Sequence, residues 1–337
     1  MAKAKYKRGS DGRFQTKVWD GNYNADGSKH YMPIYSSKSS GDLEKKVNEI
    51  KYAVSQRKYV TPSNESFLSY ARTWRKTYKQ VRCLGTQRMY DNVIEKHFVA
   101  LDGVSLQDIR KLHFQLVINN AVDKPRLCQQ IALTFKQIIK SAIQDKKLPA
   151  GCYDEICSKI DLPKYKPEEK RPLTSIEREA IKTAEFTPME KAFVLLIYGT
   201  GLRRGEALAQ TRFTINLKTR KIAVNEAVAF DGNNPYIKTT KNEKKREMPL
   251  PGYLADYLSW YLNTIPGPYL FTKRNGEMMT KSSYDKMWAS IIRKMNLAAG
   301  GSEDLQIIFD LTAHVFRHNY CSNLCYQIPN ISIKKIA

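Results

Sequence analysis

Ala192–Leu208 reads AFVLLIYGTGLRRGEAL, and the rest of the chain is organised around it. An apolar run from Phe193 to Ile197 stops at Gly199-Thr200-Gly201. The run suits a buried helix, and the glycines on either side of Thr200 punctuate its end. Two arginines follow at once, Arg203 and Arg204, then Gly205 and Glu206. A buried helix that ends by presenting a fixed guanidinium fits a grip on an anion, because the planar five-donor group matches phosphate oxygens. Glu206 stands three residues after Arg203, one turn on, where its carboxylate can brace that guanidinium. Arg203 is therefore the first candidate site residue, as a phosphate contact.

Composition points to the same kind of partner. The 337 residues hold 56 Lys and Arg against 33 Asp and Glu, a formal net charge of +23. With a pI near 9.6, this is the electrostatic footprint of a polyanion binder, and nucleic acid leads. Charge alone also allows a structural RNA binder. A membrane surface fits less well, because no long basic amphipathic segment is present. No stretch approaches the roughly 20 apolar residues of a spanning helix. The opening MAKAKYKRGSDGRF has no apolar core of a secretion signal. Cys152/Cys157 and Cys321/Cys325 lack the two-residue gap of a zinc knuckle, so free thiols and a reducing cytosol are expected, without metal or other cofactor.

Taken in order, the chain predicts an α+β multidomain protein. Residues 1–60 carry 13 basic residues against 6 acids. Two extended runs, RFQTKVWD and His30–Tyr35, flank the turn signal Asn24-Ala25-Asp26-Gly27, and a helix with Leu43, Val47, Ile50 and Val54 at helical spacing runs to about Tyr59. Arg13, Lys17 and Trp19 interleave base and aromatic in the first run. They read either as a sheet laid into a DNA groove or as a solvated face with Trp19 in a small core. Residues 61–160 read as helices joined by short loops. The first, SFLSYARTWRKTY, carries Arg72, Arg75 and Lys76, with Lys79 just after it. The second is TQRMYDNVIEKHFVAL, opened by Thr86, and the third spans Leu106–Asn120. The fourth, Pro125–Asp145, carries Lys136 and Lys140. These bases are candidate DNA contacts, with a solvated helix face as the alternative. Asp161–Pro172, DLPKYKPEEKRP, is a linker, with three prolines and alternating charge.

Residues 173–337 carry the chemistry. Thr174 is placed to cap a helix at SIEREAIKTA. Strand-like KIAVNEAVAF, NPYIK and REMPL predict a small antiparallel sheet in a mainly helical unit, with Thr239–Lys245 as a basic hairpin tip. Tyr253–Leu262 and Tyr284–Met295 read as helices. At Thr312-Ala313-His314-Val315-Phe316-Arg317-His318, Thr312 is placed to cap a helix on which His314 and Arg317 share one face. Two arginines, a lysine and a histidine suit a phosphodiester passing through a pentavalent state. Guanidiniums meet the equatorial charge, and a hairpin lysine can protonate a departing oxygen. No carboxylate cluster offers to hold the metals of a two-metal nuclease.

GTGLRRGEAL, the hairpin lysine ahead of Arg246-Glu247-Met248-Pro249-Leu250, and LTAHVFRHNYCSNL resemble, in order and spacing, the boxes of the tyrosine recombinase family, in particular phage and conjugative-transposon integrases. The resemblance runs from about residue 10 to the end. It implies an arm-type DNA-binding domain over 1–60, a helical core-binding domain over 61–160 and a catalytic domain over 173–337. It places the family's first arginine on Arg203, the hairpin lysine on Lys241 (Lys238 second) and the histidine and second arginine on His314 and Arg317. Arg204 becomes a solvated neighbour, and His318 a structural residue. The implied activity is site-specific recombination through a 3′-phosphotyrosyl link, on double-stranded core and arm sites, by a tetramer on DNA, with accessory DNA-bending or directionality proteins, in a bacterial cytoplasm beside the nucleoid. One departure stands out. Only 20 residues follow Arg317, and Tyr320 and Tyr326 lie too close to it to be the family's nucleophile, so both are expected to pack. The chain thus reads as an integrase cut short before its tyrosine. The alternative is a non-catalytic DNA-binding fragment that occupies recombination sites. A type IB topoisomerase shares the chemistry but has no use for an arm domain.

Overall fold

Alternation of buried and exposed positions sets the first element. In the computed structural model, which describes residues 4–56, 59–167, 171–239 and 245–327, Phe14–Tyr23 forms strand β1 and Lys29–Ser36 forms β2. They pair antiparallel with Val18 opposite Met32 and Trp19 opposite Tyr31. Val18, Asp20, Ile34 and Ser36 point inward and pack against helix α1, Ser40–Ser55, through Leu43 and Val47. The Ser39 hydroxyl accepts from the Asp42 N–H at 3.0 Å to start that helix. It ends at Ser55, short of the expected Tyr59, because the apolar spacing gives out after Val54. The Tyr59 N–H donates to the Ala53 carbonyl at 3.2 Å, and the Tyr59 hydroxyl meets Met32 Sδ at 2.7 Å.

The chain divides into two compact units, residues 1–167 and 168–337, with the division inside DLPKYKPEEKRP. Beyond the sheet, the first unit is helical: α2 Phe67–Tyr78, α3 Leu84–His97, α4 Lys111–Asn119, α5 Pro125–Gln144 and α6 Cys152–Cys157. Phe67, Trp74, Phe98, Phe114 and Phe135 are all buried in one core, where Phe114 and Phe135 stack at 4.1 Å between centroids. The sequence places one helix over Leu106–Asn120. Instead a single 3-10 turn, Leu106–Asp108, gives way to extended backbone at Ile109 and Arg110 before α4. Burying Ile109 in that core breaks the helix. Helix α3 begins at Leu84, ahead of the expected Thr86, and α6 is additional to the expected helices.

The second unit contains α7 Ser175–Thr183, α8 Pro188–Thr200, α9 Arg204–Leu208, strands β3 Ile215–Asn216, β4 Lys221–Val224, β5 Glu226–Asp231, β6 Asn234–Thr239 and β7 Arg246–Pro249, then α10 Gly252–Tyr261, α11 Lys281–Ala298 and α12 Ala313–Cys325. KIAVNEAVAF, expected as one strand, breaks at Asn225. Its halves join two antiparallel sheets, β3-β4-β7 and β5-β6, rather than one. The burial pattern changes across the break: Ile222 and Val224 alternate, whereas Ala227 and Val228 are both buried. Among the described residues no helix is long and apolar enough to cross a membrane.

Helices α7, α8 and α9 start in a related way. In α7 and α8 a threonine caps the helix and a glutamate three residues on returns to the cap N–H: Thr174 with Glu177 and Thr187 with Glu190, each N–H donating at 2.8 Å. In α9 only the second half exists, with Arg203 N–H donating to Glu206 at 2.9 Å. All three glutamates are buried, and each also meets a base: Arg171, Lys294, and Arg203 with Arg246. At α12, Thr312 occupies the cap position but makes no capping hydrogen bond, against expectation.

Helix α8 ends where Gly201 takes a left-handed conformation, φ 61°. A Cβ there would lie 2.4 Å from the Tyr320 ring on α12, so glycine is required both for the turn and for the approach of α12.

Three outcomes follow for stability. Burial alone would raise Glu177, Glu190 and Glu206, but their hydrogen bonds to bases and to cap N–H groups outweigh it and hold all three below the ordinary 4.5. Their contribution is complete above 4.5 and lost as pH falls through the lowered folded values. Urea unfolding of the second unit should weaken steeply below pH 4.5, and Thr187→Ala should cost about 1 kcal/mol at neutral pH. Gly201→Ala should cost at least about 2 kcal/mol in the same assay, from left-handed strain plus overpacking. A loss under about 0.5 kcal/mol would mean that α12 moves away freely.

Candidate phosphate-binding site

The turn after α8 is built around one carboxylate. Glu206 Oε1 accepts from Arg203 NH1 at 2.9 Å, and Oε2 accepts from the Arg203 backbone N–H at 2.9 Å and from Arg246 NH2 at 2.7 Å. The Glu206 side chain is 3% exposed, while Arg203 is 48% exposed. The guanidinium is thus fixed at one nitrogen and open at the rest: among the described residues its Nε and NH2 meet no acceptor. Gly205 makes the close fit possible, since a Cβ there would lie 2.4 Å from the Val228 carbonyl oxygen of β5.

Arg317 reaches the same turn from α12. Its NH1 donates to the Gly201 carbonyl at 2.8 Å. Burial lowers its pKa, Arg203 and Arg246 push the same way, and Glu206 opposes them. Three guanidiniums therefore act on one another around one carboxylate, and the region carries excess positive charge. The structure thus brings Arg203 and Arg317 together. His314 sits exposed in the first turn of α12, its ring edge-on to His318 at 4.4 Å between centroids. Lys241 lies outside the described residues, while Lys238 is exposed on β6.

Three neighbours differ from the sequence reading. Arg204 is exposed yet not simply solvated: its guanidinium lies over the Tyr284 ring at 5.1 Å and the Phe230 ring at 5.6 Å. Tyr320 packs as expected, against Gly201, and burial raises its hydroxyl pKa. Tyr326 does not pack: it is 88% exposed, because it ends α12. Arg246 was missed as a site residue. Its signal was present, a base opening the strand REMP, but only the fold shows that the strand's first residue meets Glu206.

In the first unit the candidate DNA contacts fall into three groups. On the outer face of β1-β2, Arg13 lies over the Tyr35 ring at 5.0 Å and Lys29 over Trp19 at 4.8 Å. Arg13 also pairs with Asp11, Lys17 is exposed, and Trp19 Nε1–H donates to the Asn22 carbonyl at 2.8 Å. Tyr23, Tyr31 and Tyr35 are also exposed. This face is basic and aromatic, and the core lies on the other side. On α2, Arg72 makes two hydrogen bonds to Glu95 and Arg75 one to Asp91, tying α2 to α3. Lys76 is exposed, while Lys79 lies over Trp74 at 4.8 Å, its pKa lowered by burial. On α5, Lys140 is exposed and Lys136 half-buried.

The comparisons with known proteins fall on this framework. The pattern of the phage integrase family matches residues 175–334. Tyrosine recombinase XerA of Pyrococcus furiosus is 28% identical over 168 residues, 48% of this chain and 51% of that protein. The integrase of Staphylococcus phage L54a is 25% identical over 242 residues, 60% of this chain and 62% of its own. The chain thus spans about half to three-fifths of the length of these curated relatives. Among solved structures, the Tn1549 transposon integrase in complex with a circular intermediate DNA superposes with a TM-score of 0.66 at 18% identity, covering 81% of this chain and 90% of that one. A lambda integrase tetramer bound to a Holliday junction gives 0.58 at 13%, covering 96% and 88%. At those identities the likeness is one of fold, and it matches the mixed α+β architecture described above. The phage integrase pattern thus covers most of the second unit, and tyrosine recombinases and an integrase are among the proteins this chain is similar to.

Proposed function

We propose that the chain acts in site-specific DNA recombination, the integration or excision of a mobile element, and that Arg203 and Arg317 hold the phosphate at the site of exchange. The observation that carries this is the turn of residues 201–206. There a buried carboxylate fixes Arg203 while leaving most of its donors open, and Arg317 is tied to the carbonyl of the same turn. Fixed donors aimed at developing charge are what phosphoryl transfer needs, since they do not reorganise during the reaction.

In this reading a tyrosine hydroxyl attacks the scissile phosphorus, forms a 3′-phosphotyrosyl bond and expels the 5′ oxygen. The guanidiniums meet the charge on the non-bridging oxygens, His314 assists, and Lys241 gives its proton to the leaving 5′ oxygen. The bond exchanged is phosphoester for phosphoester, so no metal or nucleotide energy source is called for. Neither Tyr320 nor Tyr326 is assigned as the nucleophile: Tyr320 is held against Gly201, and Tyr326 ends the helix that carries Arg317. The 337 residues then supply DNA binding and the clamp without the attacking tyrosine.

The domain roles belong to the same proposal. Residues 1–60 take arm sites through the β1-β2 outer face, residues 61–160 take the core site with Lys76, Lys136 and Lys140 near the backbone, 161–172 link, and 173–337 form the catalytic part. A tetramer on double-stranded DNA, accessory DNA-bending or directionality proteins, and a bacterial cytoplasm beside the nucleoid complete it. The alternative remains a binder that occupies such sites without cutting.

Duplexes selected from random DNA with the chain itself provide the test. Binding should weaken steeply with salt, with a slope of about −0.9 per phosphate neutralised. Ethylating single phosphates should reveal one whose modification weakens binding of the wild type but not of Arg203→Ala. A flat salt response, or the same ethylation pattern in both proteins, contradicts the clamp. On a nicked suicide version of the duplex, a covalent complex mapped to Tyr320 or Tyr326 contradicts the nucleophile assignment.

A further inference from the structure

We infer that Arg246 is a positioning residue of the phosphate clamp: it shares the Glu206 carboxylate with Arg203 and thereby sets where the Arg203 guanidinium points. The inference rests on the phosphate-clamp reading above and adds a residue to it.

The geometry is a competition for one anion. Glu206 is buried and its two oxygens serve three donors. Oε2, the oxygen shared by the Arg203 backbone and Arg246 NH2, faces β7; among the described residues Oε1 is left to Arg203 NH1 alone. A single guanidinium beside a buried carboxylate tends toward the two-toothed pairing, with two nitrogens on two oxygens. Arg246 blocks that pairing by occupying the second oxygen. Arg203 is therefore limited to one side-chain hydrogen bond and keeps its remaining donors for another anion.

Arg246 holds its place from an independent element. It opens β7, where the ladder sets it opposite Val224 of β4, and its side chain is only 32% exposed. Helix α9, which carries Glu206, is pressed onto β5 of the other sheet through Gly205 and Val228. The carboxylate is thus gripped from a helix start and from a strand start. Arg317 adds repulsion: both Arg203 and Arg246 act on it electrostatically. Removing Arg246 would leave a buried anion with one guanidinium to satisfy it, and Arg203 would turn inward to make two bonds.

The experiment reads the ethylation sensitivity of the Arg203-dependent phosphate on the selected duplex. For the wild type, ethylation there should weaken binding about tenfold, the scale of a charge-assisted hydrogen bond. Arg246→Met should abolish most of that sensitivity, as Arg203→Ala does, and the double variant should be no worse than Arg203→Ala, because both changes act through one contact. Arg246→Lys, which keeps a cation on the carboxylate, should restore most of it. Arg246→Gln keeps an amide donor and serves as a second reading should the methionine variant unfold; its sensitivity should fall between. If Arg203→Ala leaves the pattern unchanged, the clamp itself is wrong. If Arg203→Ala changes it while Arg246→Met and Arg246→Gln do not, the clamp stands and the positioning role falls. Loss of sensitivity at a different phosphate, or additive losses in the double variant, would mean that Arg246 touches DNA itself, which also overturns the inference.

Discussion

The Glu206 carboxylate is the constraint on which the second unit's site depends. Burying an anion is costly unless each oxygen is paired, and the usual outcome is a closed ion pair with no function beyond structure. Here the pairing is split between two arginines and a backbone N–H. The split satisfies the carboxylate and leaves Arg203 half-exposed. It also draws α9 and β7 to the end of α8, where Gly201 lets α12 come close enough for Arg317 to bond the turn. Local backbone chemistry, sheet register and helix packing all converge on six residues, 201–206.

Much of this was legible in the sequence. GTGLRRGE announces a helix stop, an arginine and a bracing glutamate, and each falls where the pattern puts it. The α8 core run, the Thr174 cap and the position of Arg317 on α12 were equally readable, because each depends on contacts a few residues apart. Arg246 was not, because its meaning is a contact across 40 positions. The break at Asn225 shows the same limit. KIAVNEAVAF has strand composition throughout, and only the partners available, β7 for one half and β6 for the other, divide it. Tyr326 illustrates the reverse error: an aromatic near an apolar helix end suggests packing, yet the helix finishes with that side pointing to solvent.

The basic residues of the first unit separate by what else they do. Arg72 and Arg75 are engaged by Glu95 and Asp91, and the exposed Arg72–Glu95 pair is worth little by itself. They serve α2–α3 geometry as much as any outside partner. The β1-β2 outer face is different. Its cations Arg13 and Lys29 lie over aromatic rings, which hold the charge in place, although Arg13 is also paired with Asp11. A side chain so held loses less freedom when it meets a phosphate, and the sequence could not separate this face from an ordinary solvated one. Arg204, over the Tyr284 and Phe230 rings, follows the same principle beside the clamp.

A structure of the chain bound to its selected duplex tests the central claim most directly. The account predicts one backbone phosphate with its oxygens within hydrogen-bonding distance of both Arg203 and Arg317, with Glu206 still holding Arg203 and Arg246. A duplex whose backbone passes elsewhere, with both guanidiniums turned onto protein acceptors, would contradict it.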